Sequence, residues 1–164
     1  MIILISGSIN AGKTTVSKAL CRLLPRTAHV EVDDLREFIG WMGLEESIPL
    51  NLKNAAAVAR NFAEAGLNVI VSYPLRPLDY EYMANELEAY SVHCVTLSPP
   101  LEVAQRNRGT RELTSGEIDR IAFHYDTGIA NPPFGITIDN SGQTPDETAR
   151  AVLAKIDGTT TPCE

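Results

Sequence analysis

Nothing in this sequence offers a zinc cluster, a membrane span or a broad face for polyanions. The three cysteines, Cys21, Cys94 and Cys163, match no zinc spacing, and an odd number suits a reducing compartment better than a disulfide framework. Histidine is as sparse: His29, His93 and His124 form no pair at ligand spacing, and each reads as structural. No apolar run approaches the roughly 18 residues of a membrane span. Met1-Ile2-Ile3-Leu4 lacks the basic n-region of a secretory signal. Basic side chains are outnumbered 14 to 21, for a net charge of −7. That argues against a nucleic-acid-binding face without excluding nucleic acid, and leaves room for a small anion held by local arginines. No repeat, low-complexity segment or linker interrupts the 164 residues. A single cytoplasmic domain with a real core is expected.

What is present starts at Gly7-Ser8-Ile9-Asn10-Ala11-Gly12-Lys13-Thr14, which matches G-x-x-x-x-G-K-[ST], the P-loop. Ile2-Ile3-Leu4-Ile5 before it is the continuous apolar run of a strand buried on both faces. Val16, Ala19, Leu20, Leu23 and Leu24 after it form one face of a helix that Pro25 stops. The motif therefore lies on the strand-loop-helix turn its chemistry needs. The two glycines let consecutive N–H groups point inward at phosphate oxygens, and the helix adds the positive end of its dipole. Lys13 reaches the β- and γ-phosphates, and the Thr14 hydroxyl suits Mg²⁺. The nucleotide-binding set is Gly7, Ser8, Asn10, Ala11, Gly12, Lys13, Thr14 and Thr15, with Thr15 a helix residue rather than a second metal ligand.

Further on, apolar strands alternate with helices. Residues 28–32 predict a second strand ending at Asp33-Asp34, with Asp33 as cap of the helix that follows. Residues 51–65 predict a helix closed by Gly66, and 67–71 a third strand. A helix opened by Pro77 runs to Ala89; residues 92–97 form a fourth strand and 101–108 a short helix. Thr114-Ser115-Gly116-Glu117 is a capping box, 135–139 a fifth strand, and Thr144-Pro145-Asp146-Glu147 the opening of a last helix that Gly158 ends. Alternation of this kind gives an α/β fold: a parallel sheet with helices on both faces and ligands bound at the carboxyl ends of its strands.

Three more constellations lie at those ends. Asp33-Asp34-Leu35-Arg36 follows the second strand. Asp33 there could take a proton from an acceptor hydroxyl or hold Mg²⁺ through water, with Arg36 one turn on to hold the acceptor. Asp34 is the competing carboxylate. Arg106, Arg108 and Arg111 surround Gly109 and suggest a lid near 106–116, in which Arg108 and Arg111 serve the transferring phosphate and Arg106 the nucleotide. Asp139-Asn140-Ser141-Gly142 could face the base, with Asn140 the contact. Tyr73, Arg76, Trp41, Asn54 and Arg60 are candidates for the acceptor pocket by position alone.

In this order, the motifs resemble the small P-loop kinases that phosphorylate metabolites, nucleotides or antibiotics: the gluconate, shikimate and adenylylsulfate kinases and chloramphenicol phosphotransferase. The Asp33-x-x-Arg36 element also resembles the kinase domain of polynucleotide 5′-hydroxyl kinases, where the aspartate is the general base and the arginine contacts the acceptor. The resemblance covers roughly residues 1–157. It implies a three-layer fold like that of the nucleoside-monophosphate kinases, with five parallel strands in the order 2-3-1-4-5. A single kinase domain over 1–158 and a flexible tail over 159–164 are expected. Two departures stand out. The third strand ends in Ser72-Tyr73, without the aspartate that many P-loop enzymes keep near Mg²⁺. The acceptor segments match no single member. The resemblance thus implies transfer of the γ-phosphate of ATP, with Mg²⁺, to a hydroxyl of a small molecule. A polynucleotide or nucleotide 5′-hydroxyl kinase and a non-kinase NTPase switch are the alternatives.

Overall fold

The computed structural model of this chain describes residues 1–106 and 112–159. The interior of the expected lid, with Arg108 and Arg111, and the tail beyond residue 159 lie outside the described residues. Elements follow in the order β1 (Ile2–Gly7), α1 (Lys13–Leu23), β2 (Thr27–Glu31), α2 (Val32–Glu37), α3 (Leu44–Glu64), β3 (Asn68–Ser72), α4 (Pro77–Glu86), β4 (Val92–Leu97), α5 (Leu101–Ala104), α6 (Ser115–Asp126), β5 (Ile136–Ile138) and α7 (Pro145–Thr159).

The strands form one sheet in the order β2-β3-β1-β4-β5, every pair parallel, as the resemblance implied. β1 is central because every one of its residues is buried, which only an apolar run can tolerate. Its side chains alternate between two cores. Ile2 and Leu4 pack with Val69, Val71, the alanine stripe of α3 and Met83 of α4. Ile3 and Ile5 pack with Ile70, Val95, Leu97 and the inward faces of α1 and α7. Truncating one of these fully buried side chains, as in Leu4→Ala, costs about 2–5 kcal/mol.

Both predicted capping boxes are present. Thr114 Oγ1 accepts from Glu117 N, whose carboxylate accepts from Thr114 N, and Thr144 and Glu147 repeat the arrangement at α7. Several boundaries differ from those the pattern predicts. β2 stops at Glu31, and Asp33 is not a cap but lies in the first turn of α2. α3 starts at Leu44, seven residues before Asn51. Pro49 does not break it, because that proline removes only one ladder bond near the N-terminal end. α4 ends at Glu86, short of Ala89, and α5 at Ala104, short of Arg108, while α7 continues through Gly158. Among the described residues no helix is long and apolar enough to cross a membrane.

Candidate active site

The carboxyl ends of β1, β2 and β3 converge on the loop between β1 and α1. Gly7 has φ of 134°, and a Cβ there would stand 2.4 Å from the carbonyl oxygen of Leu97, so only glycine fits. α1 begins at Lys13 with no side chain capping its first turn, which leaves its leading N–H groups directed at the loop. Lys13 is only 9% exposed, and its Nζ donates to the carbonyls of Gly7 (3.2 Å) and Ser8 (2.9 Å). Burial pulls its pKa below the usual lysine value, against the opposing pull of Glu31 and Asp33.

Asn10, with φ of 61°, extends its amide to the carbonyls of Ala104 (2.7 Å) and Arg106 (2.9 Å). The P-loop thereby holds the chain just past the end of α5. Only the backbone of Arg106 takes part; its side chain is exposed and lines neither cavity described below.

A cavity of about 1190 Å³ opens from this loop. Lys13 and Thr14 form its floor, Glu31, Asp33, Asp34 and Arg36 one wall, Tyr73, Arg76 and Asp79 a second, and Arg120, Phe123 and His124 of α6 a third. It exceeds the roughly 300–1,000 Å³ of a single ligand pocket and has room for a triphosphate and an acceptor together. Asp33 has its carboxyl pushed above the ordinary range, first by desolvation, with Glu31 and Asp34 adding to the rise against Lys13 and Arg36. Arg36 lines the same wall, and its Nε is buried without a hydrogen-bond partner. Tyr73 has its phenol pushed up to about 12 by desolvation, then by Asp33 and Asp79, so it stays protonated and able to donate.

Of the acceptor-pocket candidates, Tyr73 and Arg76 line the cavity; Trp41, Asn54 and Arg60 do not. Trp41 is 81% exposed. Leu52, Ala55, Ala56 and Ala59 set the phase of α3, which turns Asn54 to solvent and lets Arg60 bond the carboxylate of Glu86. Arg76 is no free cation: Asp79 grips it at 2.7 and 3.0 Å, and Glu45 joins it to Arg120 across the cavity mouth.

Glu31 escapes notice in the sequence, where the neighbouring Asp33-Asp34 pair draws the eye. Its Oε2 accepts from the Thr14 hydroxyl at 2.7 Å, and it stands beside Ser72 in the register of β2 and β3. A carboxylate from β2 thus occupies the neighbourhood that β3 leaves without one. Among the described residues no cluster of three His, Cys, Asp or Glu could hold a metal by itself. Mg²⁺ asks for less: one or two hard oxygens from protein, the rest from phosphate and water. Thr14 and Glu31 fit that demand.

On the far side of α1 a smaller cavity of about 250 Å³ is lined by Asn10, Gly12, Thr15, Asn140, Gln143 and their neighbours. Asn140 is buried; its Nδ2 donates to the carbonyl of Ala11 at 3.0 Å, tying the β5–α7 loop to the P-loop.

Comparison with known proteins agrees with this fold. The APS kinase of Mycobacterium tuberculosis, solved with AMPPNP and APS, superposes with a TM-score of 0.73 at 18% identity, over 95% of this chain and 96% of that one. A sugar kinase from Janibacter sp. HTCC2649 gives 0.71 at 20% identity, over 95% and 94%. The tunicamycin resistance protein of Deinococcus radiodurans gives 0.64 at 23%, over 94% of each chain. At such identities these likenesses establish the fold alone. No curated protein matches the chain. The family model of chloramphenicol phosphotransferase-like proteins, however, matches residues 1–157. The chain belongs to the chloramphenicol phosphotransferase-like family, and with it to the P-loop kinases that phosphorylate small molecules.

Proposed function

We propose that this kinase transfers the γ-phosphoryl group of ATP, bound with Mg²⁺, to a hydroxyl of a small molecule held in the large cavity. The observation that carries the reading is that Lys13 and Asp33 share that cavity with space between the P-loop and α4 for a second substrate. The P-loop amides and Lys13 hold the phosphates, and the base lies toward Thr15 and Asn140. Thr14 and Glu31 would hold the metal, which would supply positive charge against the phosphates. Asp33, a carboxyl with raised proton affinity, orients the acceptor hydroxyl and receives its proton. Arg36 holds the acceptor, and Arg108 and Arg111 are assigned by residue type to the charge of the transferring group. The cytoplasm, where ATP is abundant, is the compartment that suits this reaction.

A regulatory NTPase would need neither the second compartment nor a carboxylate aimed into it. The test is a panel of hydroxyl-bearing metabolites and antibiotics incubated with γ-labelled ATP and Mg²⁺. Label is expected on one acceptor class. Release of phosphate with no acceptor labelled would favour the switch, and label on a polynucleotide 5′ end would favour the other alternative.

A further inference from the structure

His124 plays no part in the set above, yet it closes the wall between the P-loop and α6. It lies in the last turn of α6 and is 2% exposed. Its Nδ1 stands 3.3 Å from Ser8 Oγ. Ser8 is fully buried, and the imidazole is the partner its hydroxyl has among the described residues. Were the ring proton on Nδ1, that bond would run from nitrogen to oxygen, and the Ser8 hydroxyl proton would be buried with nothing to receive it. With the hydroxyl donating to Nδ1, one bond satisfies both groups. The ring proton then resides on Nε2.

Nε2 has no hydrogen-bond partner among the described residues, and it is not one of the fully enclosed orphan atoms. What little of the ring stays accessible therefore meets the cavity that His124 lines with Lys13 and Arg120. Burial, with Lys13 and then Arg120 nearby, holds the imidazole pKa down to about 4, so the ring is a neutral donor near neutral pH. A third cation between Lys13 and Arg120 would be repelled; a neutral N–H adds a hydrogen bond without that cost.

We infer that His124 contacts the substrate: its Nε2–H, fixed in this tautomer by Ser8, donates to an oxygen of the γ-phosphoryl group. The assignment rests on the kinase reading. The competing view is that His124 only packs α6 against the P-loop through Ser8. The two differ over which phosphate senses the residue, and no acceptor is needed to tell them apart.

The experiment compares affinities for ADP and for AMPPNP, both with Mg²⁺, by calorimetry on the whole chain. His124→Asn keeps an amide oxygen where Nδ1 was, able to accept from Ser8, but removes the donor at Nε2. His124→Gln extends an amide N–H to the Nε2 position. His124→Asn is expected to lose about tenfold in AMPPNP affinity with ADP affinity unchanged, and His124→Gln to recover most of the loss. In ¹⁵N spectra of the unaltered protein, Nε2 of His124 should be the protonated nitrogen and should shift with AMPPNP but not with ADP. Equal loss for both nucleotides, or loss for neither, overturns the assignment and leaves His124 a packing residue. Failure of the unaltered protein to bind AMPPNP at all would instead overturn the kinase reading, and this assignment with it.

Discussion

The Thr14 hydroxyl donates to Glu31 Oε2 across 2.7 Å, joining the first turn of α1 to the last residue of β2. The bond sets a carboxylate beside the Thr14 oxygen at the edge of the cavity that both residues line. Glu31→Gln keeps the size and a hydrogen bond but removes the charge. Nucleotide affinity in the presence of Mg²⁺ should fall by about tenfold or more, while affinity without metal should hold or rise, since one anion near the phosphates is gone. Titration of ATP with and without Mg²⁺ checks this. An equal effect in both would make the bond a packing contact.

Lys13→Ala should abolish turnover and leave the fold intact. The ammonium neutralises charge on the transferring phosphoryl group, and among the described residues it donates to the carbonyls of Gly7 and Ser8, a role in the fold that other contacts can replace. A variant that melts like the parent yet retains the parent kcat would remove the P-loop from the mechanism.

The strands and helices are legible because their evidence is local: an apolar run, a glycine-bounded loop and two capping boxes each lie within a few residues, whereas the strand order follows from the resemblance. The site was legible only where a motif marks it. Asp33 lines the cavity as expected, although from the first turn of a helix rather than from its cap. Glu31 carries no mark in the sequence, because the strand end falls two residues before the aspartate pair and nothing local says which carboxylate meets Thr14. Glu45 and Arg120, 75 residues apart, come together only through tertiary packing. Asn54 and Arg60 do not line the cavity, because the phase of α3 is set by what its alanines pack against.

His124 also predicts a pH dependence of stability. Its pKa is near 6.5 when unfolded and about 4 when folded, so between those values the unfolded chain binds the proton more tightly. The contribution is complete above pH 6.5 and is lost as pH falls toward 4, by roughly 3 kcal/mol over that window. Urea unfolding of the parent and of His124→Asn across this range should give a shallower slope for the variant. Parallel slopes would mean the imidazole titrates normally in the fold.

Asp33 connects stability to chemistry with the opposite sign. Its folded pKa is raised above 3.8, chiefly by desolvation, so the folded state holds the proton more tightly than the unfolded chain does. Ionised Asp33 therefore opposes folding; the penalty is absent below pH 3.8 and grows as pH rises through the folded value. Asp33→Asn removes it. The variant should melt at a higher temperature than the parent at pH 7, with the gap closing near pH 3.5. It should also bind ATP normally and transfer phosphate roughly 10²-fold more slowly, because an amide keeps the orientation but cannot accept the hydroxyl proton. Asp34 lines the same wall, and Asp34→Asn should cost far less transfer. Loss in Asp34→Asn with none in Asp33→Asn would move the base by one residue. Loss in neither, with Asp33→Asn still the more stable protein, would make Asp33 a strained surface carboxyl and leave the cavity without a base.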